Sequence, residues 1–276
     1  MTAARPDASA TRALAWLYAP QEQRPLFAAL CALEGEVGAS LRPGLDHQVA
    51  HLRLEWWRAE CARTAAGTPS HPLTRAVAEC LAGRDGAPLA GLTGLVDAAV
   101  WDLAGATFET RRELSAYCGR WAEAIIVPLA QFAAPGVDRA AGRALGALLR
   151  ESELLAHLAR EARAGRLRLP LDELAAARVD PARLAEPPWP PGLAALLSER
   201  HRALRGQLAA AVAALPRAAQ PALRALLVWA ALAGAASHRT VRRLPGGLPG
   251  SDDHGVLDGW RAWRAARRAH RRRFEL

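Results

Sequence analysis

The chain is 276 residues long, 51% of its residues are hydrophobic, and its formal net charge at pH 7 is +9. This length and apolar content are enough for one large packed core, and they exclude a chain that is disordered throughout. Alanine, leucine and arginine dominate, while tyrosine, phenylalanine and methionine are scarce. Unbranched side chains lose little rotamer freedom in a helix, so we expect an all-α protein.

The positive charge comes from arginine alone, because the sequence contains no lysine. A basic chain favours anionic partners such as phosphates, acidic lipids or nucleic acid, but an arginine-rich surface that faces only water accounts for the charge equally well. We do not expect nucleic acid as a partner, since no known reading module accompanies the charge.

The cysteines and the N-terminus bear on the compartment. Four cysteines lie within helical patterns without a CxxC pair, which predicts small core residues in a reducing compartment and no zinc site. They are Cys31, Cys61, Cys80 and Cys118. The N-terminus lacks an apolar signal region, and no apolar run reaches the roughly 18 to 20 residues that span a bilayer. We expect a cytoplasmic protein that is at most peripheral, on the inner face of the membrane.

Proline and glycine divide the chain into segments of helical length, because each interrupts the backbone hydrogen-bond ladder. The predicted helices run from Ala8 to Ala19, Gln21 to Leu41, Leu45 to Ala66, His71 to Leu81, Leu89 to Ala104, Thr110 to Phe132, Asp138 to Arg163, Pro191 to Leu215, Ala218 to Val241 and Gly255 to Arg273. No strand-like alternation competes with them. We predict a single-domain antiparallel helical bundle (11–245), after a disordered N-terminus (1–10) and before a basic C-terminal helix rich in tryptophan and arginine (246–276).

Five stretches occur in an order that resembles one known family. They read RPLFAALCALEGEV (24–37), HLRLEWWRAE (51–60), SHPL (70–73), FETRRELSAYC (108–118) and LLAHLAREARAGRLRLP (154–170). Together they are similar to the squalene/phytoene synthase family, over about residues 18–184. The resemblance implies the isoprenoid synthase fold, which is a helical bundle around a central cavity, and the head-to-head joining of two isoprenyl diphosphates.

The family's reaction makes a clear chemical demand. Ionising an allylic diphosphate puts negative charge on the leaving group, and Mg²⁺ ions held by carboxylate oxygens stabilise that charge. The family supplies the carboxylates as two aspartate motifs, and a spacing of four residues puts both acids of a motif on one helical face. If the protein is an enzyme, Mg²⁺ is therefore the cofactor we expect.

This sequence departs from both motifs. The first motif falls on GASLR, so Gly38 and Arg42 stand where the family has acids. The second falls on HLARE, where His157 replaces the leading aspartate and Glu161 keeps the final acid. Arg168 replaces the tyrosine that usually precedes the LP pair. One remaining carboxylate cannot hold a magnesium cluster, so we expect no cofactor and no confident catalytic residue.

Arginine can replace part of the missing positive charge, because guanidinium binds phosphate oxygens in pairs. A cavity that still binds a diphosphate or an isoprenoid would draw on charged side chains near the former motifs. The candidates are Glu36, Arg53, Arg58, Arg160, Arg163 and Arg168. Two of these arginines flank Trp56 and Trp57, and the alternative is that this tryptophan pair simply packs into the core.

A second alternative concerns a transition metal. Glu153, His157 and Glu161 are spaced four residues apart and could form two sides of an altered metal site. The same spacing is common on solvated helices, where such side chains pair with arginines, and Arg150, Arg160 and Arg163 are nearby. We favour the second interpretation and predict no metal.

The C-terminal helix carries two tryptophans among many arginines. Its candidate contact residues are Trp260, Trp263, Arg264, Arg267 and Arg268. This pattern suits a helix that lies on an anionic membrane or docks on a partner protein. It equally suits a terminal helix that packs on the domain through its tryptophans, with a solvated arginine end.

Two functional hypotheses follow. The first is a pseudoenzyme that keeps the synthase scaffold for binding a protein partner, an isoprenoid or a diphosphate. In its GEVGAS and DGWRAWRAARR stretches the chain is similar to the family's non-catalytic branch, which includes the mitochondrial complex I assembly factor with a squalene/phytoene-synthase-like domain. The alternative is a head-to-head prenyl transferase of isoprenoid, carotenoid or squalene biosynthesis.

Overall fold

The computed structural model describes residues 9–42, 44–83, 89–244 and 256–276, and no strand occurs in these ranges. The α-helices are α1 (Ala10–Leu17), α2 (Arg24–Gly38), α3 (His47–Ala65), α4 (Pro72–Leu81), α5 (Thr93–Leu103), α6 (Arg111–Ala133), α7 (Arg139–Ala156), α8 (Leu158–Arg163), α9 (Leu171–Ala176), α10 (Pro191–Ala213), α11 (Arg224–Arg243) and α12 (Val256–His270). The all-α prediction is confirmed.

Helices α6 and α11 lie at the centre of the bundle. α6 is buried over most of its length and packs against α5 and α7, while α11 packs against α1, α7, α10 and α12. Trp121 of α6 and Trp229 of α11 are among the largest fully buried side chains, and their rings meet edge to face with centroids 6.1 Å apart. Two indoles therefore occupy the middle of the bundle.

Glycine sets the spacing between the central helices. A Cβ atom on Gly146 of α7 would lie 2.7 Å from the Cβ atoms of Ala122 and Ile126 on α6. A Cβ atom on Gly94 of α5 would overlap the backbone oxygen of Arg120 on α6. Both neighbouring helices approach α6 closely because these positions lack a side chain.

The predicted helix from Asp138 to Arg163 is wrong in one respect, because the structure breaks it at His157. The backbone N–H of His157 donates both to the carbonyl of Glu153 (3.1 Å) and to that of Leu154 (3.2 Å), so the last turn of α7 tightens and α8 begins anew. No proline or glycine marks this position, so the sequence pattern gave no sign of the break. Residues 164–190, where no helix was predicted, contain the short helix α9.

Some predictions concern residues outside the described ranges. Of the N-terminus predicted to be disordered, residues 1–8 lie outside them, and Ala10 is already the first residue of α1. The boundary predicted at residues 245 and 246 and the helix start predicted at Gly255 also lie outside them. Cys31, Cys61 and Cys118 are buried, as predicted for core cysteines, whereas Cys80 is only half-buried.

The C-terminal helix α12 packs on α11 through small side chains. Its buried apolar residues are Ala262, Ala265, Ala266 and Ala269. Trp260 and Trp263 are 51% and 47% exposed, so the alternative that the helix packs through its tryptophans is wrong. An alanine face allows the two helix axes to lie close together, and it turns the indoles outward. None of the helices in the described ranges is long and apolar enough to cross a membrane.

Candidate functional site

A cavity of about 280 Å³ lies between α2, α5, α6 and α7, and we call it the central cavity. Gly38 lines it, so the resemblance places the first motif at this cavity. Glu34 lines it one turn earlier, whereas Glu36 is exposed and outside it. Arg42 follows α2 and is exposed as well. A Cβ atom on Gly35 or Gly38 would meet nothing within 4 Å. The face of α2 that would carry metal ligands is therefore open.

The wall of the central cavity contains a buried ion-pair network, which we call the Arg12 cluster. Its members are Arg12, Glu34, Arg150 and Glu153. Arg12 Nε lies 2.6 Å from Glu153 Oε1, and the same guanidinium pairs with Glu34. Arg150 Nη1 bridges the two acids, at 3.2 Å from Glu153 Oε2 and 3.5 Å from Glu34 Oε1. An ion pair between Glu153 and a nearby arginine was predicted, and Arg150 forms it.

The two central tryptophans complete the Arg12 cluster. The Arg12 guanidinium lies over the rings of Trp121 and Trp229, at 5.1 and 5.2 Å from their centroids. Trp121 Nε1 donates to Glu34 Oε1 over 2.8 Å. Burial alone would raise the pKa of Glu34, but the charges of Arg12 and Arg150 outweigh it and lower that pKa below its ordinary value. Glu34 therefore stays charged and committed to its partners.

The end of the second motif belongs to another network, the Arg168 cluster, made of Asp102, Tyr117, Glu161, Arg166 and Arg168. Arg168 is 3% exposed and pairs with Asp102 through both nitrogens of its fork, at 2.7 and 3.0 Å. Glu161 accepts from Arg166 Nε and from Arg168 Nη2, each over 2.9 Å. Tyr117 Oη donates to Asp102 Oδ2 over 3.1 Å.

Glu161 is held as a carboxylate by these contacts. Burial would raise its pKa, but hydrogen bonds from Arg166 and the charge of Arg168 outweigh burial and lower the pKa to about 2. Arg168, which the sequence resemblance aligns with the family's tyrosine, therefore binds Glu161, which it aligns with the last acid of the second motif.

The other predicted ligand-binding arginines lie outside the central cavity. Arg53 and Arg160 are exposed, and Arg58 pairs with Asp97 over 2.8 Å. Arg163 Nε donates to the carbonyl of Ala185 over 3.0 Å. Of the six predicted side chains, only Arg168 belongs to a buried network beside the cavity.

The tryptophan pair on α3 divides between core and surface. Trp57 is buried, whereas Trp56 is 45% exposed, so the prediction that the pair packs into the core holds for one member only. The two rings meet edge to face with centroids 4.9 Å apart.

The residues at the motif positions do not fit Mg²⁺. The carboxylates of Glu34, Glu153 and Glu161 all face arginines, so a metal would have to displace buried ion pairs. The break at His157 also interrupts the helix face on which Glu153 and Glu161 would have shared a transition metal. Within the described ranges, no three histidine, cysteine, aspartate or glutamate side chains meet in a group that could hold a metal.

A second cavity of about 580 Å³ lies between α1, α7, α10, α11 and α12, and we call it the His201 cavity. His157 and Glu153 line one wall of it. His201 of α10 is 3% exposed, and its Nδ1 lies 3.0 Å from Ser237 Oγ. Burial, and to a smaller extent the charge of Arg205, lowers the pKa of His201 to about 4. The ring is therefore neutral at pH 7.

Sequence reasoning missed most of the residues that build these sites. Arg12 carries the central network, yet its partner Glu153 is 141 residues away in the chain. One signal was available: Arg12 lies four residues before Trp16, within the apolar stripe of α1, where both side chains are buried. A charged residue in such a stripe indicates a buried partner. No comparable signal marked Asp102 or His201.

Comparison with known proteins agrees with this architecture. The family model described as squalene/phytoene synthase matches residues 5–266. A crystal structure of a dehydrosqualene synthase in complex with ligand is similar, with 17% identity and a TM-score of 0.72, over 94% of this chain and 90% of that one. So is squalene synthase HpnC from Alicyclobacillus acidocaldarius, with 19% identity and a TM-score of 0.67, over 86% and 89% of the two chains. No curated protein matches this sequence. The fold is that of the isoprenoid synthases, and the chain belongs to the squalene/phytoene synthase family.

Proposed function

We propose that this protein is a non-catalytic member of the squalene/phytoene synthase family, which uses the synthase scaffold for binding. One observation carries the proposal: Glu34 and Glu161, the acids that lie beside the central cavity at or near the motif positions, are held by arginines in buried ion pairs. Arg168 binds Glu161 directly, and Arg12 binds Glu34. In the family's reaction such acids would have to bind metal instead.

The charges within each network cancel. The Arg12 cluster combines two arginines with two glutamates, and the Arg168 cluster combines two arginines with two acids. Neither offers an uncommitted carboxylate to Mg²⁺ or an uncommitted guanidinium to a diphosphate. Removing one partner from a buried pair costs about 3 to 5 kcal/mol, because the other charge is left without a counter-charge. A metal-diphosphate complex would have to supply that energy before any chemistry began.

The similarity to the non-catalytic branch supports the same proposal. GASLR takes the place of the first aspartate motif, as in the assembly-factor branch to which the chain is similar. The solved relatives are a dehydrosqualene synthase and a squalene synthase, so head-to-head prenyl transfer is the alternative that the family offers.

Incubation of the purified full chain with farnesyl or geranylgeranyl diphosphate and Mg²⁺ tests the proposal. We expect neither prenyl product nor diphosphate release, measured beside an active synthase as the positive control. Product formation that Glu161→Gln or His157→Gln abolishes would overturn the proposal and establish the prenyl transferase.

We also propose that α12 attaches the protein to an anionic membrane, as a peripheral protein of the inner face. Trp260 and Trp263 are half exposed, and the guanidinium groups of Arg264 and Arg267 lie over their rings at 4.5 and 5.2 Å. Within the described ranges, neither these arginines nor Arg268 has an acidic partner. Indoles beside unpaired cations suit the interface of an acidic bilayer.

A further inference from the structure

We propose that the His201 cavity binds an uncharged, largely apolar molecule with one small polar head, and that His201 and Trp229 hold this head. The proposal goes beyond the loss of catalysis, because the cavity's contacts would hold such a molecule whether or not the chain turns over a diphosphate.

The size and lining of the cavity suit an apolar body. Its volume of about 580 Å³ is within the range of small-molecule sites, roughly 300 to 1,000 Å³. Apolar side chains from four helices line it: Ala156, Leu204, Ala233, Ala236, Val256 and Leu257. Small alanines on α7 and α11 leave the room, and the buried Leu204 closes one side, whereas Val256 and Leu257 are exposed.

Two residues that line the cavity each have a buried ring nitrogen without a hydrogen-bond partner. These nitrogens are Nε2 of His201 and Nε1 of Trp229, and both residues are almost fully buried. About nine in ten buried polar groups have a partner, so two unsatisfied nitrogens beside one cavity indicate a ligand. The face of the Trp229 ring is used by Arg12, but its N–H is not.

The charges around the cavity argue against a charged ligand. Asp258 is paired with Arg239 and Arg261, each over 2.8 Å, and Glu153 is paired with Arg12. Arg243 lines the cavity only as an exposed side chain. A diphosphate or a cation inside would therefore meet charges that already have partners, except at the exposed Arg243.

The hydrogen bonds of Ser237 indicate the chemistry of the head. Its hydroxyl has one proton. We assign this proton to the hydrogen bond that Ser237 Oγ donates to the backbone carbonyl of His201 over 3.2 Å. The Nδ1 of His201, at 3.0 Å, then donates to Ser237, and its Nε2 is left as an acceptor. Trp229 Nε1 is a donor. A wall with one donor and one acceptor matches a hydroxyl group, which can act as both.

Three probes with the same twelve-carbon chain separate the possibilities: dodecan-1-ol, dodecane and dodecyl phosphate, each added to the full chain below its solubility limit. Equilibrium dialysis measures binding. We expect dodecan-1-ol to bind about ten-fold more tightly than either other probe. Equal binding of dodecane would overturn the role of the polar head, and equal or tighter binding of dodecyl phosphate would overturn the uncharged ligand. Failure of all three probes to bind would overturn the site itself.

Matched variants locate the head. Asn reaches the Nδ1 position of a histidine and Gln reaches its Nε2 position, so His201→Asn keeps the Ser237 contact and loses the acceptor, while His201→Gln supplies an acceptor again. We expect His201→Asn and Trp229→Phe each to weaken dodecan-1-ol binding about five-fold, which corresponds to one neutral hydrogen bond. His201→Gln should bind like the parent chain.

Trp189→Phe is the control, because Trp189 is a buried tryptophan outside the cavity. If His201→Asn does not fold, as judged by circular dichroism, Trp229→Phe decides the matter, since its N–H makes no hydrogen bond in the fold. Parent-like binding by the Trp229 variant would overturn the proposed contact. Turnover of farnesyl diphosphate in the separate assay would refute the non-catalytic proposal and leave these binding results unchanged.

Discussion

Arg168 and Asp102 form a two-point ion pair across 66 residues of sequence, with nitrogen to oxygen distances of 2.7 and 3.0 Å. The pair joins the segment after α8 to α5, and the same guanidinium binds Glu161 of α8. The Arg168 side chain thus binds Glu161, the acid that the resemblance places in the second motif. The same side chain connects α8 to α5.

We expect Arg168→Met to lower the free energy of unfolding by about 3 to 5 kcal/mol, because Asp102 and Glu161 would be left buried with fewer counter-charges. Urea denaturation followed by circular dichroism measures the change. Arg160→Met replaces an exposed arginine of α8 that has no ion pair among the described residues, so stability should stay within about 0.5 kcal/mol of the parent. Adding Asp102→Asn to Arg168→Met should restore part of the loss. Parent-like stability of Arg168→Met would contradict the anchoring role.

Acid should destabilise the protein partly through His201. Its pKa is about 4 in the folded chain and 6.5 ordinarily, so the unfolded chain takes up the proton first as the pH falls. The stabilisation is complete above pH 6.5 and declines towards pH 4, by about 3 kcal/mol in total. The free energy of unfolding, measured from pH 7 to pH 4, should therefore fall less steeply for His201→Asn than for the parent. Equal slopes would show that His201 does not titrate as a buried neutral ring.

The family could be predicted from the sequence, because its motifs depend on local order and spacing. Gly38 does line the central cavity, and Glu161 does sit among arginines. The partners could not be predicted, since the sequence pattern does not indicate which of many arginines a buried acid will meet. Arg53 and Arg160 therefore looked as suitable as Arg168, and only the packing of the helices separates them.

The tryptophans Trp229 and Trp189 offer a matched stability comparison. Both are buried, but Trp189 Nε1 donates to the Leu184 carbonyl over 3.2 Å, whereas Trp229 Nε1 has no acceptor. Phenylalanine keeps an aromatic ring under Arg12 at residue 229, so the hydrogen bond lost at residue 189 is the larger difference. We expect Trp189→Phe to cost about 1 kcal/mol more than Trp229→Phe in chemical denaturation without ligand. The reverse order would mean that the Trp229 N–H is satisfied in solution.

Gly146→Ala should increase the distance between α7 and α6. The added methyl group would lie 2.7 Å from two Cβ atoms that cannot rotate away, and such overpacking costs about 1 to 3 kcal/mol. Gly206 on α10 has nothing within 4 Å, so Gly206→Ala should instead stabilise the helix by up to about 1 kcal/mol. The midpoint temperatures of thermal unfolding of the two variants should shift in opposite directions from that of the parent. A shift in the same direction would contradict the close approach at Gly146.

If α12 attaches the protein to membranes, the protein should sediment together with anionic lipid vesicles. The full chain should bind vesicles of phosphatidylcholine and phosphatidylglycerol, and binding should fall with added salt. Replacing Arg267 and Arg268 together by glutamine should weaken binding about 30-fold, at about 1 kcal/mol for each charge. Trp260→Ala with Trp263→Ala should also weaken it, whereas Trp56→Ala, at an exposed tryptophan of α3, should not. Equal binding to pure phosphatidylcholine would contradict the charge contribution.

The open face of α2 has a consequence for re-engineering. The first atom of an aspartate side chain at residue 38 would enter vacant space, because nothing lies within 4 Å of a Cβ atom there. Glu161 presents the opposite difficulty, since its carboxylate is present but already bound by Arg166 and Arg168. If the protein is non-catalytic, as proposed, metal chemistry would require new carboxylates on α2 and removal of the arginine contacts from Glu161, and neither set of changes would suffice without the other.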